Sequence, residues 1–346
     1  MSSFLHRMFL ARLLWAAAAC AVGAAGTFDP YVAGRHNVSH TWVDPLLRPD
    51  LPMSLSVSAP TSEQIFPVVV FISGLEGMTP AAAQSRLLQR IASHGLVVVT
   101  AWSLTESGGP AQRAVKLEQV MDWMHSRLPD YLHHHHFPGL KVDFNRTTML
   151  AHSAGAHVVV SYLERQCDAD TNVKGLALMS PVDGVDPFGF IKEYCITPGQ
   201  KVNFTLPTLV LTAGLDTEHG FPMFPPCAPT KLSNGRFYDA FSSPRWQINA
   251  TQFGHVDFFQ DAFWMIVKDT KFCAVCAADD CDDRPLYQDY MAGQIVSFAL
   301  ATTDPDSYCD QLMYLEDFSL HPVATVGRND RAADVCRGFL AGCARP

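Results

Sequence analysis

Between Ile65 and Ala301 short apolar runs rich in β-branched residues alternate with stretches of helical periodicity, and that alternation leaves few folds open. Residues 66–73 (FPVVVFIS) and 96–102 (LVVVTAW) are apolar on both faces, as strands covered by helices on either side must be. Between them, residues 81–93 read as a helix closed by Gly95, where a left-handed terminal residue is easily accommodated. Leu117, Val120, Met121, Met124 and Leu128 then recur at helical spacing and define one buried stripe. The alternation continues through a strand at 147–151, a helix at 157–164, strands at 174–180, 208–213 and 245–253, and a last helix at 290–300. No repeat period appears. The pattern implies an α/β domain over residues 27–302, with a mostly parallel central sheet carrying helices on both faces. Residues 303–346 are polar and cysteine-bearing and read as an extension tied onto that domain by disulfides.

The termini and the cysteines speak to compartment. Arg7 and Arg12 precede an apolar, alanine-rich run over 13–26 that ends in small residues, the form of a secretory signal peptide. The run is shorter than the roughly 20 apolar residues that span a bilayer, so no stable membrane span is expected once it is removed. Of ten cysteines, Cys20 leaves with the signal, and Cys273, Cys276, Cys281, Cys309, Cys336 and Cys343 have the look of a disulfide framework. No second paired motif accompanies Cys273 and Cys276 at zinc-finger spacing. The four Asn-x-Ser/Thr sequons, at Asn37, Asn145, Asn203 and Asn249, agree with export and mark candidate glycosylation sites. A net charge of −9 gives no basis for a nucleic-acid partner. The run His133–His136 is expected to be a solvated loop rather than a metal site.

The chemistry concentrates at Ala151-His152-Ser153-Ala154-Gly155-Ala156, between an expected strand and an expected helix. A serine hydroxyl becomes a nucleophile when a tight strand-to-helix turn presents it to a base, and small flanking residues are what such a turn tolerates. Ala151 stands where glycine is usual. Phe253-Gly254-His255 follows the last expected strand, where a loop swings an imidazole back over the serine as general base. Two aspartates could orient that imidazole: Asp183, after the strand ending at Ser180, and Asp216, after the strand ending at Ala213. Position alone favours Asp216. For the oxyanion hole the expected N–H donors are Ala154, next to the nucleophile, and Leu75, in the loop after the first long strand. No cofactor and no metal are implied.

Several stretches resemble the chlorophyllase family of α/β-hydrolases: Pro222-Met-Phe-Pro-Pro-Cys-Ala-Pro229, Phe237, Gly254-His255-Val256-Asp257, Ile91-Ala-Ser-His-Gly95 and Pro181-Val-Asp-Gly184. The likeness runs from about Val68 to Leu300. It implies an α/β-hydrolase fold and a serine carboxylesterase that cleaves the phytyl ester of chlorophyll, and it moves the acid to Asp183, the aspartate of the P-V-D-G motif. Secreted phospholipase-type acetylhydrolases look similar around Gly74-Leu75 and 92–95, so a lipid or polyester esterase is the alternative. A non-catalytic binding protein on the same scaffold is the third reading. The family's elbow reads G-H-S-R-G-G, so Ala151, Ala154 and Ala156 bear on substrate preference. The expected partner is a hydrophobic ester such as chlorophyll or a lipid. N-terminal sequencing of the protein recovered from a culture medium should find a start between residues 24 and 27; a full-length intracellular product would contradict the signal-peptide reading.

Overall fold

A computed structural model describes residues 28–104, 109–135, 137–166, 172–184, 186, 192–242, 244–277, 280–330, 335 and 342–343. The expected signal segment, residues 1–26, lies outside the described residues.

Val38–Val43 (β1), Ser54–Pro60 (β2), Ile65–Ile72 (β3), Val97–Trp102 (β4), Lys141–His152 (β5), Val173–Met179 (β6), Thr208–Ala213 (β8), Arg245–Ala250 (β9) and Thr325–Asp330 (β10) form one sheet. Its order is β1-β2-β4-β3-β5-β6-β8-β9-β10. A two-residue strand, Phe204–Thr205 (β7), pairs separately with Gly342–Cys343 (β11). From β4 to β9 every neighbouring pair in the sheet is parallel, whereas the edge pairs β1–β2, β2–β4 and β9–β10 are antiparallel. This is the mostly parallel sheet that the alternation of strands and helices implied, in the α/β-hydrolase arrangement that the family resemblance implied.

The period of two along β3 shows why both faces must be covered. Val68, Val70 and Ile72 enter one core with Leu117, Val120 and Met124 of the helix Pro110–His135 and Val158 of the helix Gly155–Arg165. Val69 and Phe71 enter the other, with Leu87 and Ile91 of the helix Ser85–Ser93 and Ile295 of the helix Arg284–Thr303. A strand flanked in this way has no polar face to show, so its sequence is continuously apolar.

Three expectations are corrected here. The antiparallel strands β1 and β2 precede the first strand read from sequence; β2 alternates serine with apolar residues, and Ser56 and Ser58 are buried. His133–His135 end a helix and are exposed on its last turn, where the expectation was a loop. The C-terminal extension is more than a tied-on tail: β10 extends the sheet, and its Thr325–Asp330 pairs residue for residue with Ala250–Arg245 of β9. Just beyond β9, the Thr251 N–H donates to Ala324 O at 3.1 Å, so the extension clamps the start of the loop that carries His255.

The described bridges are Cys227–Cys273 and Cys276–Cys281, and Cys309 is also disulfide-bonded. Cys227 was outside the framework expected from sequence. Among the described residues, no helix is long and apolar enough to cross a membrane. Ending the chain at Ala324 removes the β9–β10 ladder. At about 1 kcal/mol net per lost hydrogen bond, thermal unfolding should show a loss of roughly 2–4 kcal/mol; an unchanged Tm would show that β10 is dispensable.

Candidate active site

Ser153 sits at the turn between β5 and the helix Gly155–Arg165 with a φ of 55°, a left-handed conformation that is strained for a residue with a Cβ. The turn is tied on both sides. Ser153 N–H donates to Met179 O on neighbouring β6, and Val182 N–H donates to Ser153 O, each at 3.0 Å. A Cβ on Gly155 would lie 2.5 Å from the carbonyl oxygens of Ile72 and Ser73, which is why that position takes glycine. Ala151, in place of the usual first glycine, fits as a buried residue of β5 paired with Ile72 and Leu178.

His255 reaches Ser153 from the loop after β9. Its Nε2 lies 2.8 Å from Ser153 Oγ, and its Nδ1 lies 3.0 Å from Asp216 Oδ1. All three side chains are nearly or fully buried. The loop is pinned by Asp257, whose Oδ2 accepts from Gly254 N (2.6 Å) and Cys276 N (2.8 Å), while Oδ1 accepts from Trp264 Nε1 (2.6 Å). Gly254 is required for close approach, since a Cβ there would lie 2.2 Å from Ala274 O.

Asp216 is aimed by its own surroundings. Its Oδ2 accepts from Ala213 N–H (3.0 Å) and from Asn234 Nδ2 (3.3 Å), leaving Oδ1 to the imidazole. Asp183, the acid carried over from the family resemblance, does not touch His255. Its carboxylate is already consumed: Oδ1 accepts from Cys195 N (2.8 Å) and Cys195 Sγ (3.1 Å) and faces His157 Nδ1 (2.9 Å). Oδ2 accepts from Ile196 N (3.1 Å) and Arg236 Nε (2.8 Å). The assignment of Asp183 is therefore corrected on geometry, and the partner of His255 is Asp216. Burial pushes the Asp183 carboxyl up, but bonds from His157 and Cys195 outweigh it and hold the group below its usual value of 3.8. Burial, then the adjacent Asp183 charge, push the Cys195 thiol well up, so it stays protonated and donates.

His157, Asp183 and Cys195 bring ligand atoms within 4.8 Å of one another. With Arg236 against the same carboxylate and the thiol proton retained, the cluster is a buried hydrogen-bond network. It reaches the site indirectly, because Arg236 and Asn234 share one turn: the first holds Asp183 and the second holds Asp216.

Leu75 and Ala154, the expected oxyanion donors, both line the cavity that opens over Ser153. Leu75 and Glu76 are left-handed, with φ of 53° and 55°. The sequence reading missed what holds them: buried Glu76 pairs with Arg113 at 2.6 Å, and Arg113 Nη1 donates to Glu76 O at 3.0 Å. The cavity measures about 630 Å³. Its walls are apolar, built from Phe224, Pro225 and Pro226 of one loop and Phe259, Val267 and Phe272 across from it. The Cys227–Cys273 bridge joins the two walls.

The family model for chlorophyllases matches residues 27–326. The chain belongs to the chlorophyllase family. It is 26% identical over 267 residues to chlorophyllase-2 of Arabidopsis thaliana, covering 75% of this chain and 80% of that protein. To chlorophyllase-1 of the same plant it is 25% identical over 220 residues, covering 61% of this chain and 64% of that protein, just under two thirds of its length. The stretch 222–229 that carries much of the family likeness supplies one wall of the cavity.

The two aspartates should fail in different ways. An imidazole without its acid partner is held in the wrong tautomer, which costs about 10⁴ in kcat in serine proteases. Asp216→Asn should lose activity on that scale while melting near wild type. A carboxyl held low stabilises the fold above its unfolded value near 3.8, and that contribution is lost as pH falls toward the folded value. Asp183→Asn should therefore lower Tm at neutral pH, with a difference from wild type that shrinks in acid, and should lose far less kcat per active site titrated with a phosphonate. The opposite ranking of kcat would restore Asp183 as the acid.

Proposed function

We propose that this chain is a serine carboxylic-ester hydrolase of chlorophyllase type, with Ser153 as nucleophile, His255 as general base and Asp216 as the acid that orients it. The observation that carries the reading is the continuous Asp216–His255–Ser153 contact, at 3.0 and 2.8 Å, on the floor of an apolar cavity.

His255 Nε2 takes the Ser153 hydroxyl proton as Oγ attacks the ester carbonyl. The imidazolium so formed is stabilised by Asp216. Negative charge develops on the former carbonyl oxygen, where the N–H groups of Leu75 and Ala154 are the proposed donors. Collapse of this intermediate expels the alcohol, which takes its proton from His255, and leaves an acyl-Ser153. A water deprotonated by His255 then releases the acid and restores the serine.

Apolar walls suit a bulky hydrophobic ester, and the phytyl ester of chlorophyll, cleaved to chlorophyllide and phytol, is the substrate the family supports first. The protein is proposed to be exported, through the signal segment at 1–26 and with glycans on exposed Asn37, Asn145 and Asn203. Asn249 lies half-buried within β9, a poor acceptor. Purified protein should release chlorophyllide from chlorophyll and acid from short p-nitrophenyl esters, and Ser153→Ala should remove both activities and phosphonate labelling while leaving the Tm near wild type. Hydrolysis of the short esters or of lipid without chlorophyllide would replace the substrate and keep the chemistry. Retained turnover in Ser153→Ala would overturn the nucleophile.

A further inference from the structure

His152, the residue before the nucleophile, takes no part in the steps above, yet it is among the most constrained side chains of the site. It is 2% exposed. Its ring lies 4.8 Å from the His255 ring and is walled by Phe258 at 4.9 Å and Phe259 at 5.7 Å. Its Nε2 lies 3.0 Å from the backbone carbonyl oxygen of His255. A carbonyl oxygen only accepts, so Nε2 carries the proton and donates. Burial, with the neighbouring His255 imidazole, pushes its pKa well below that of an ordinary histidine, and the bond to the carbonyl does not reverse this. The ring is therefore neutral at physiological pH. One proton on two nitrogens leaves Nδ1 a bare acceptor. It has no hydrogen-bond partner among the described residues and faces Gly74, where a Cβ would lie 2.9 Å away.

The other restraints on His255 come from elsewhere. Asp257 pins the far side of its loop, and Asp216 holds the outer edge of the ring. Among the described residues, the bond from His152 is what ties the backbone of His255 to the strand that leads into Ser153. We propose that His152 is a positioning residue for the general base: its Nε2–H fixes the His255 carbonyl and its ring sets the tilt of the imidazole, so that nucleophile and base share one frame built on two successive residues of β5 and its turn. This rests on the reading of Ser153 and His255 as nucleophile and base.

Amide side chains separate the two nitrogens. The glutamine amide reaches the place of Nε2 and can still donate to the carbonyl, whereas the asparagine amide reaches only the place of Nδ1. Phenylalanine keeps a ring of similar shape and donates nothing. With a short p-nitrophenyl ester, His152→Phe and His152→Asn should lose about 10- to 100-fold in kcat, the scale on which a misplacement of about 1 Å acts, with little change in KM. His152→Gln should recover most of that loss. Thermal melts and phosphonate titration give the turnover per folded site, and if the phenylalanine variant does not fold, the glutamine–asparagine pair decides. Wild-type turnover in His152→Phe, or in the asparagine variant, would overturn the proposal, as would a glutamine variant no better than asparagine. A wild type that neither hydrolyses esters nor takes up phosphonate would instead bring down the esterase reading beneath it.

Discussion

The backbone of Ser153 holds a left-handed conformation that costs of order 1–3 kcal/mol for such a residue, and the centre of the molecule is arranged so that this conformation persists. Parallel pairing of β5 with β3 and β6 delivers the chain to the turn from one side. The helix Gly155–Arg165 takes it away on the other, packed against the Ile72–Ser73 backbone so closely that only glycine fits at its start. Bonds to Met179 O and from Val182 N then leave the turn no freedom to relax. A hydroxyl raised in this way stands clear of its own strand, and loops from the same end of the sheet converge on it. That convergence follows from parallel strands, whose C-terminal ends all open on one edge.

Around that fixed point each functional side chain is held by a device of its own. Asp257 and Trp264 fix the His255 loop, Ala213 and Asn234 aim Asp216, and the Glu76–Arg113 pair supports the strained backbone at Leu75. Most of these restraints are buried hydrogen bonds or ion pairs in which one partner cannot be removed without stranding the other. Preorganisation of this kind keeps reacting groups in register before substrate arrives. The Asp183 network belongs to the same scaffold: it ties the segments at 195–196 and 236 and the helix that follows Ser153 into one block, and Asn234 carries that order to Asp216. A P-V-D-G motif can thus be prominent in a sequence without its carboxylate touching His255.

Much of this was legible in the residues alone. The parallel sheet announced itself because strands buried on both faces must be apolar throughout, Ser153 because a strand end meets small residues, and His255 because a strand end meets a turn glycine. The family likeness pointed to the loop 222–229 without saying what it does; packing made it a wall of the cavity. β1 and β2 escaped notice because an edge hairpin with serines on alternate positions resembles a loop, and β10 because its mostly polar run of six residues becomes a strand only against β9. The histidine run reads as a loop by composition, yet it continues a helix whose buried stripe runs through Leu128 and Leu132 to its edge.

The choice between Asp183 and Asp216 marks where the sequence stops. Residue types, order and spacing determined the fold class, the proposed nucleophile and base, and the two loops from which an acid could come, since each depends on a local pattern along the chain. Which carboxylate meets the imidazole is a competition for hydrogen-bond donors. Cys195, Ile196, His157 and Arg236, up to 53 residues away from Asp183, had already claimed that one. Asp216 kept one oxygen free because its near neighbours, Ala213 and Asn234, occupy only the other. Contacts across such separations are settled only when the sheet and its loops close, so the tertiary structure alone decided which aspartate meets His255, the apolar cavity and the tether from His152 to His255.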